Sequence, residues 1–180
     1  MTERIIIAGA GGQGVMLLGK VLAESALREG KQVTWFPCYG AEVRGGTAYC
    51  MVVISDKPVG SPYVDKADTL IVLNEPSLVK FGKRVAASGL LVANSSLIQK
   101  ETLVMLGRQS CVALAFTDMA VKLGDIRVAN MIALGYFIAR KQLIRAKTVY
   151  AVMQAMAPQG KPELVAINTK ALQEGIQLYG

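Results

Sequence analysis

Short apolar runs, most of them rich in β-branched residues, alternate along this chain with stretches whose apolar positions recur every three or four residues. Residues 4–9, RIIIAG, read as a buried strand that ends in glycine. Over residues 13–28, Val15, Leu18, Val21, Leu22, Ala26 and Leu27 share one helical face, and Gly30 stands at the stop. Residues 32–36 and 47–55 read as the next two strands, joined by the loop 37–46. Residues 69–74 and 89–95 are further short buried strands, with a helix starting near Pro76 between them, and residues 111–116 are another candidate strand. From Thr117 onward the period turns helical. Val128, Met131, Ile132, Gly135, Ile138 and Ala139 line one face of a helix that Asp125 is placed to cap, and residues 148–156 and 162–178 predict two more. Strands alternating with helices predict an α/β, doubly wound domain. Its sheet is expected to be largely parallel, with helices on both faces and a helical C-terminal third. No repeat, low-complexity tract or linker divides it, so residues 1–180 are expected to form one domain.

Composition narrows the chemistry. With 52% hydrophobic and 18% charged residues and a mean hydropathy of +0.38, the chain is too apolar to be disordered. Its longest apolar stretches, such as MIALGYFIA at 131–139, fall far short of the roughly 20 residues a spanning helix needs. They belong to a core, and no membrane partner is expected. The sequence MTERIIIAG enters a strand with no basic region before a long apolar run, which reads as a cytoplasmic protein without a secretory signal. Histidine is absent, so this chain alone cannot assemble a Ser–His, Cys–His or His-ligated zinc mechanism. Three scattered cysteines, Cys38, Cys50 and Cys111, give no Cys-x-x-Cys pair for a cluster or zinc ribbon and fit a reducing cytosol. Neither a metal nor a catalytic residue is expected here. Twenty Lys and Arg against 13 Asp and Glu give a formal charge of +7, which favours an anionic partner without choosing one.

The most specific local signal is GAGGQG, in which Gly9, Gly11 and Gly14 fill the pattern G-x-G-x-x-G between a predicted strand and a predicted helix. Glycines there allow a tight turn and let a phosphate approach backbone N–H groups at the positive end of a helix. They equally serve a bare strand–helix turn. A nicotinamide site would need an acid at the end of the second strand; here that strand ends Trp35-Phe36-Pro37, and the nearest acid, Glu42, lies beyond Pro37 and Gly40 in a loop. The second signal is EVRGG at 42–46. The Arg44 guanidinium suits bidentate grip on phosphate or carboxylate, and Gly45 and Gly46 permit close backbone approach. In a doubly wound fold both loops lie at one sheet edge, so Arg44 is a candidate for the same anion; an ion pair with Glu42 or across a subunit interface is the equal alternative. Trp35 and Phe36 read as core rather than a stacking platform. Lys20 reads as a solvated residue, Cys38 as structural. Arg140, Lys141, Arg145 and Lys147 near a helix end are explained by the helix dipole before nucleic acid is invoked.

Taken together, GAGGQGVMLLGKVLA, TWFPCYGAEVRGGTAYCMVVISD, ADTLIVLNEPSL and ANMIALG closely resemble the gamma subunit of 2-oxoacid:ferredoxin oxidoreductases, over nearly the whole chain from about Arg4. The resemblance implies a Rossmann-like part of an enzyme that oxidatively decarboxylates a 2-oxoacid to an acyl-coenzyme A, with electrons passing to ferredoxin. It implies thiamine diphosphate in alpha and beta subunits, iron–sulfur clusters in the beta or a ferredoxin-like delta subunit, and no activity from this chain alone. It also makes Gly9, Gly11, Gly12, Gln13 and Gly14, with Arg44, Gly45 and Gly46, candidates for the coenzyme A phosphates. YGAEVRGGTA most resembles 2-oxoglutarate or unspecified 2-oxoacid enzymes, with pyruvate, branched-chain and indolepyruvate variants left open. A free-standing NAD or flavin oxidoreductase is the rival class and a basic nucleic-acid module a third; neither accounts for both loops, and nucleic acid is not an expected partner.

Overall fold

A computed structural model describes residues 1–38, 47–105, 110–158 and 160–180. Within them lie six strands, β1 (Thr2–Ala10), β2 (Gln32–Cys38), β3 (Thr47–Ser55), β4 (Ala67–Val72), β5 (Val85–Asn94) and β6 (Cys111–Leu114). Seven helices accompany them: α1 (Val15–Arg28), α2 (Glu75–Phe81), α3 (Lys100–Met105), α4 (Phe116–Leu123), α5 (Ala129–Lys141), α6 (Ala146–Met156) and α7 (Pro162–Gln177). The strands form one sheet in the order β2-β3-β1-β4-β5-β6. From β1 through β4 and β5 to β6 the pairs are parallel. β3 runs antiparallel to both β1 and β2, so it is the single reversed strand. The α/β class, helices on both faces and helical last third agree with the sequence; the reversal of β3 refines it. A parallel crossover takes a dozen or more residues, and residues 39–46 are too few for one, so the chain leaving β2 returns as the antiparallel neighbour β3.

Alternation along the strands sends two apolar sets to opposite faces. Ile5, Ile7, Cys50, Val52 and Ile54 join the core built with α1, α4, α5, α6 and α7. Ile6, Ala8, Met51 and Val53 join a smaller one closed by Leu78 and Phe81 of α2 with Val64, Val85 and Ile98. The same alternation separates Trp35 from Phe36. Trp35 packs against the larger core, but Phe36 is 40% exposed. The expectation that Phe36 is core is corrected: β2 is an edge strand, and little covers its second face.

α5 is buried continuously from Asn130 to Ile138 rather than along the single face its pattern predicts. α7 closes its outer side through a glycine crossing, at which a Cβ on Gly135 would strike the Leu172 carbonyl and one on Gly175 the Ile132 carbonyl. Asp125 caps, but one element early. Its carboxylate accepts from Arg127 N–H at the head of a 3-10 turn, Ile126–Val128, and α5 itself follows Val128. Among the described residues no helix is long and apolar enough to cross a membrane.

Three of the four basic residues near the end of α5 are engaged within the fold, and Lys147 is exposed. Arg140 donates to the Tyr179 hydroxyl, Lys141 pairs with the buried Glu3 at 2.8 Å, and Arg145 pairs with Glu29 at 3.2 Å. Glu29 also accepts from the Arg145 N–H and the Thr148 hydroxyl, so one carboxylate caps the start of α6. Burial pushes this carboxyl up, but the Thr148 hydroxyl and the Arg145 N–H and guanidinium together hold it below its ordinary value. A group lowered in the folded state stabilises above its unfolded pKa and loses that contribution as pH falls through the folded one. Unfolding free energy is therefore expected to begin dropping below about pH 4.3, the ordinary glutamate value, and Glu29→Gln should flatten this limb while lowering stability at neutral pH. Urea titrations of both proteins from pH 3 to 7 check it; an unchanged acid limb in Glu29→Gln would count against the cap.

Candidate functional site

β1 ends at Ala10, and the chain turns through Gly11, Gly12 and Gln13 to Gly14, the N-cap of α1. Gly12 and Gly14 sit at φ 91° and 71°, the left-handed region that glycine enters at little cost. The glycines divide their work. A Cβ on Gly9 would lie 2.7 Å from Gln13 Oε1 and 3.1 Å from Leu73 Cβ, and one on Gly14 would run into the Asn130 amide. Those two serve packing. Gly11 and Gly12 are exposed, and a Cβ on Gly12 meets nothing within 4 Å. They turn backbone toward solvent, where a ligand can approach.

Gln13, a candidate ligand contact by sequence, has its side chain turned inward. Its Oε1 accepts from Ala10 N–H at 2.6 Å, and its Nε2 donates to Leu73 O at 3.3 Å. Leu73 O also accepts from Asn94 Nδ2 at 3.1 Å. Asn94 reaches on to Thr117, donating to its hydroxyl at 2.8 Å and accepting from its N–H at 3.3 Å. This amide–hydroxyl chain ties the glycine loop to the carboxyl ends of β4 and β5 and the start of α4. Sequence reasoning missed Asn94, Thr117 and Asn130. The available signal was an amide ending one predicted strand and another inside the apolar run ANMIALG.

Asn130 joins two helix starts. Its Nδ2 donates to Gly14 O at 3.1 Å, so the first turn of α5 lies against the cap of α1. Neither helix has a side-chain cap or an acid in its first turn. First-turn N–H groups of α1 have no intrahelical partner and carry the positive end of its dipole, whereas α5 continues the 3-10 turn, whose Ile126 carbonyl accepts from Ala129 N–H and whose head the Asp125 carboxylate caps. Asn130 is 2% exposed, and its Oδ1 is buried without a hydrogen-bond partner among the described residues. Nearby Arg127 is bound by Asp125 at 2.6 Å, whose carboxyl the guanidinium's hydrogen bonds hold below the usual range. The loop thus offers a net donor surface, the environment an anion seeks.

Arg44, Gly45 and Gly46, with Glu42, lie outside the described residues. The flanking positions are informative. β2 ends at Cys38, opposite Tyr49, and β3 begins at Thr47, opposite Ala10. Both ends of that segment therefore stand at the carboxyl end of β1, beside the glycine loop. β1 and β4 are adjacent parallel strands, and their connections leave for opposite faces, α1 into one core and α2 into the other. This is the switch-point crevice where open α/β sheets take ligands. Lys20 is exposed, as expected. Burial pushes the Cys50 thiol up to about 12, far from the low values of reactive cysteines. Among the described residues no three histidine, cysteine or acidic side chains gather closely enough to hold a metal ion.

Residues 4–178 match the family described as pyruvate ferredoxin/flavodoxin oxidoreductase. The chain is 36% identical over 174 residues to the ketoisovalerate oxidoreductase subunit VorA of Methanothermobacter thermautotrophicus, which covers 97% of this chain and 36% of that protein. It is 30% identical to the 2-oxoglutarate synthase subunit KorC of Archaeoglobus fulgidus, covering 97% of this chain and 86% of the other. The crystal structure of a keto/oxoacid ferredoxin oxidoreductase gamma subunit from Geobacter sulfurreducens matches with a TM-score of 0.82 at 28% identity, over 98% of this chain and 95% of that one. The chain thus spans about a third of the length of the ketoisovalerate relative and nearly all of the gamma subunit. With its strand–glycine-loop–helix unit inside a match that runs almost from end to end, this chain belongs to the pyruvate ferredoxin/flavodoxin oxidoreductase family.

Proposed function

We propose that this chain is the gamma-type subunit of a multi-subunit, cytoplasmic 2-oxoacid:ferredoxin oxidoreductase, and that its glycine loop and Arg44 hold phosphates of coenzyme A. One observation carries the subunit reading: the likeness extends over nearly the full length of a protein that is itself a gamma subunit. In this reading alpha- and beta-type partners, with a ferredoxin-like subunit, hold the thiamine diphosphate and iron–sulfur clusters. Those groups supply the decarboxylation and the electron path to ferredoxin.

The part this chain plays is binding and orientation. Gly11 and Gly12 are exposed at the start of α1, where donors and dipole favour phosphate oxygens. Gln13 and Asn130 keep that surface in place from beneath. Arg44 adds a bidentate cation from the segment whose ends flank the loop. For the 2-oxoacid the reading is 2-oxoglutarate, supported by the 30% identity to a 2-oxoglutarate synthase subunit. A branched-chain 2-oxoacid is the second reading, favoured by the 36% identity to a ketoisovalerate enzyme subunit. Turnover of the assembled enzyme with each acid separates the two.

The coenzyme assignment is tested in the same assembly. Loss of one charge-assisted contact costs about 1.5–3 kcal/mol, or roughly ten- to more than a hundredfold in affinity. Arg44→Ala is expected to raise KM for coenzyme A by that factor and to leave KM for the 2-oxoacid unchanged. Gly11→Val should act more strongly, because a branched side chain would stand where the phosphate approaches. Normal assembly of both variants with an unmoved coenzyme A constant would show that these loops are structural.

A further inference from the structure

On the sheet face that carries the smaller core, aromatic rings and cations are joined into one surface. Phe36 pairs with Met51 across β2 and β3. Strand alternation puts it on the same face as Tyr49, a diagonal neighbour within reach of aromatic side chains. Tyr49 meets the Phe81 ring at 4.7 Å between centroids. Lys80 Nζ stands 5.4 Å from the centre of the Tyr49 ring. The Arg84 guanidinium lies 5.7 Å from the centre of Phe81 and 5.2 Å from that of Tyr63, all within cation–π range. Beside them Lys66 donates to the Lys83 carbonyl at 3.2 Å.

The fold leaves two properties of this surface unexplained. Its rings are open, with Phe36 40% and Tyr63 56% exposed. Its cations lack acids. Among the described residues, Lys66, Lys80, Lys83 and Arg84 enter none of the ion pairs. Asp68 is paired with Arg4, and Glu75 accepts from the Gln99 N–H and the Thr102 hydroxyl. Over residues 65–84 that leaves Asp65 to offset four cations. The helix dipole accounts for Lys80 at the end of α2, but not for exposed rings beside it. An aromatic and arginine centre inside a polar rim is the anatomy of a protein interface, and a rim of one sign is matched by the opposite sign on the partner. A nucleic-acid strand would need successive open rings on which to stack its bases; here Phe81 is 1% exposed and Lys80 stands over Tyr49.

We propose that this face docks an acidic patch of another subunit, which covers Phe36 and Tyr63 and sets carboxylates against Lys66, Lys80 and Lys83. This rests on the multi-subunit reading for the partner's presence; the surface and its sign are read from this chain.

The test uses the assembled enzyme. A carbodiimide joins a lysine amine directly to a carboxylate in contact with it, and is expected to link Lys80 or Lys83 to an Asp or Glu of another subunit. Lys80→Glu with Lys83→Glu should raise the dissociation constant of this chain from its partners about tenfold at about 0.05 M salt. The difference should shrink at about 0.5 M, where charges are screened. Tyr63→Ala should raise the constant about thirtyfold at both. Lys147→Glu, an exposed charge on α6, should leave it unmoved. The cross-link is read on the unaltered enzyme, so it decides even where a variant fails to fold. If the enzyme assembles but the links run only to a second copy of this chain, or the variants leave assembly unmoved, the docking surface is wrong and the subunit reading stands. If the parent chain never joins thiamine-binding and cluster-bearing subunits, the subunit reading falls and takes this inference with it. A raised KM for coenzyme A with assembly unmoved would give these cations to the cofactor. Binding of a labelled oligo(dT), lost in the charge-reversed variant, would give them to nucleic acid. Either result overturns the inference.

Discussion

Gly175→Ala is expected to lower the unfolding free energy by about 2–3 kcal/mol, and Gly135→Ala by a similar amount. Alanine is the better helix former by about 1 kcal/mol, so on propensity alone both changes would stabilise. Packing reverses the sign. At Gly175 a Cβ would stand far inside 3.0 Å of the Ile132 carbonyl, and at Gly135 equally close to that of Leu172. Both obstacles are helix backbone, which has no rotamer to change. Relief requires α5 and α7 to move apart, and both line the larger core, with Ile132, Ala171 and Leu172 fully buried. Overpacking of such a core costs typically 1–3 kcal/mol and sometimes more, and two helices pushed apart also lose dispersion contacts along the crossing. Gly19→Ala is a useful contrast. Its Cβ meets the Cys50 and Trp35 side chains, so it is expected to cost less than the backbone collisions. Gly60→Ala, with nothing within 4 Å, should change stability by less than about 0.5 kcal/mol. Urea unfolding at constant m-value gives the ranking. A crossing variant as stable as Gly60→Ala would mean that α5 and α7 do not meet there.

These collisions mark what a single sequence carries and what it does not. Strand–helix alternation and the stop at Gly30 were legible because each is local: Gly30 takes φ 77° and closes α1 by donating to Leu27 O. The direction of β3 was legible in principle from the short span 39–46, since chain length alone forbids a parallel crossover. Partners distant in sequence were not. Gly135 in an apolar helix looks like a weak helix former until α7 is laid across it. Gln13 looks like part of a phosphate loop until the Leu73 carbonyl, just past β4, is seen to accept from its amide. The pattern G-x-G-x-x-G is readable as a turn beside a helix start; which glycines face inward depends on Leu73 and Asn130, which lie 60 and more residues away. Phe36 shows the reverse error. Its residue type argues core, and its place on an edge strand exposes it.

Gly14→Ala should cost about 3 kcal/mol, and the part due to collision should be recoverable by changing a residue 116 positions away. Two terms add. Gly14 sits at φ 71°, where a Cβ costs an ordinary residue roughly 1–2 kcal/mol. The new methyl would also press on the Asn130 amide, whose hydrogen bond to Gly14 O, of 3.1 Å, would lengthen or break at about 1 kcal/mol. Asn130→Ala alone should be mild. It deletes that bond but also removes the buried Oδ1 that has no partner among the described residues, and deleting an unsatisfied group offsets part of the loss. In the double variant the collision vanishes and only the backbone strain and the missing bond remain. The two changes should therefore be less than additive by about 1–2 kcal/mol, within the range seen for residues in contact. Function gives the second readout. If Asn130 sets the approach of α5 to the cap of α1, Gly14→Ala should raise KM for coenzyme A in the assembled enzyme, because the start of α1 then shifts against the loop proposed to hold the phosphate. Asn130→Ala in the Gly14→Ala background should return part of that loss. Strict additivity in stability, together with an unmoved KM, would show that α5 and the cap of α1 are not coupled through this pair.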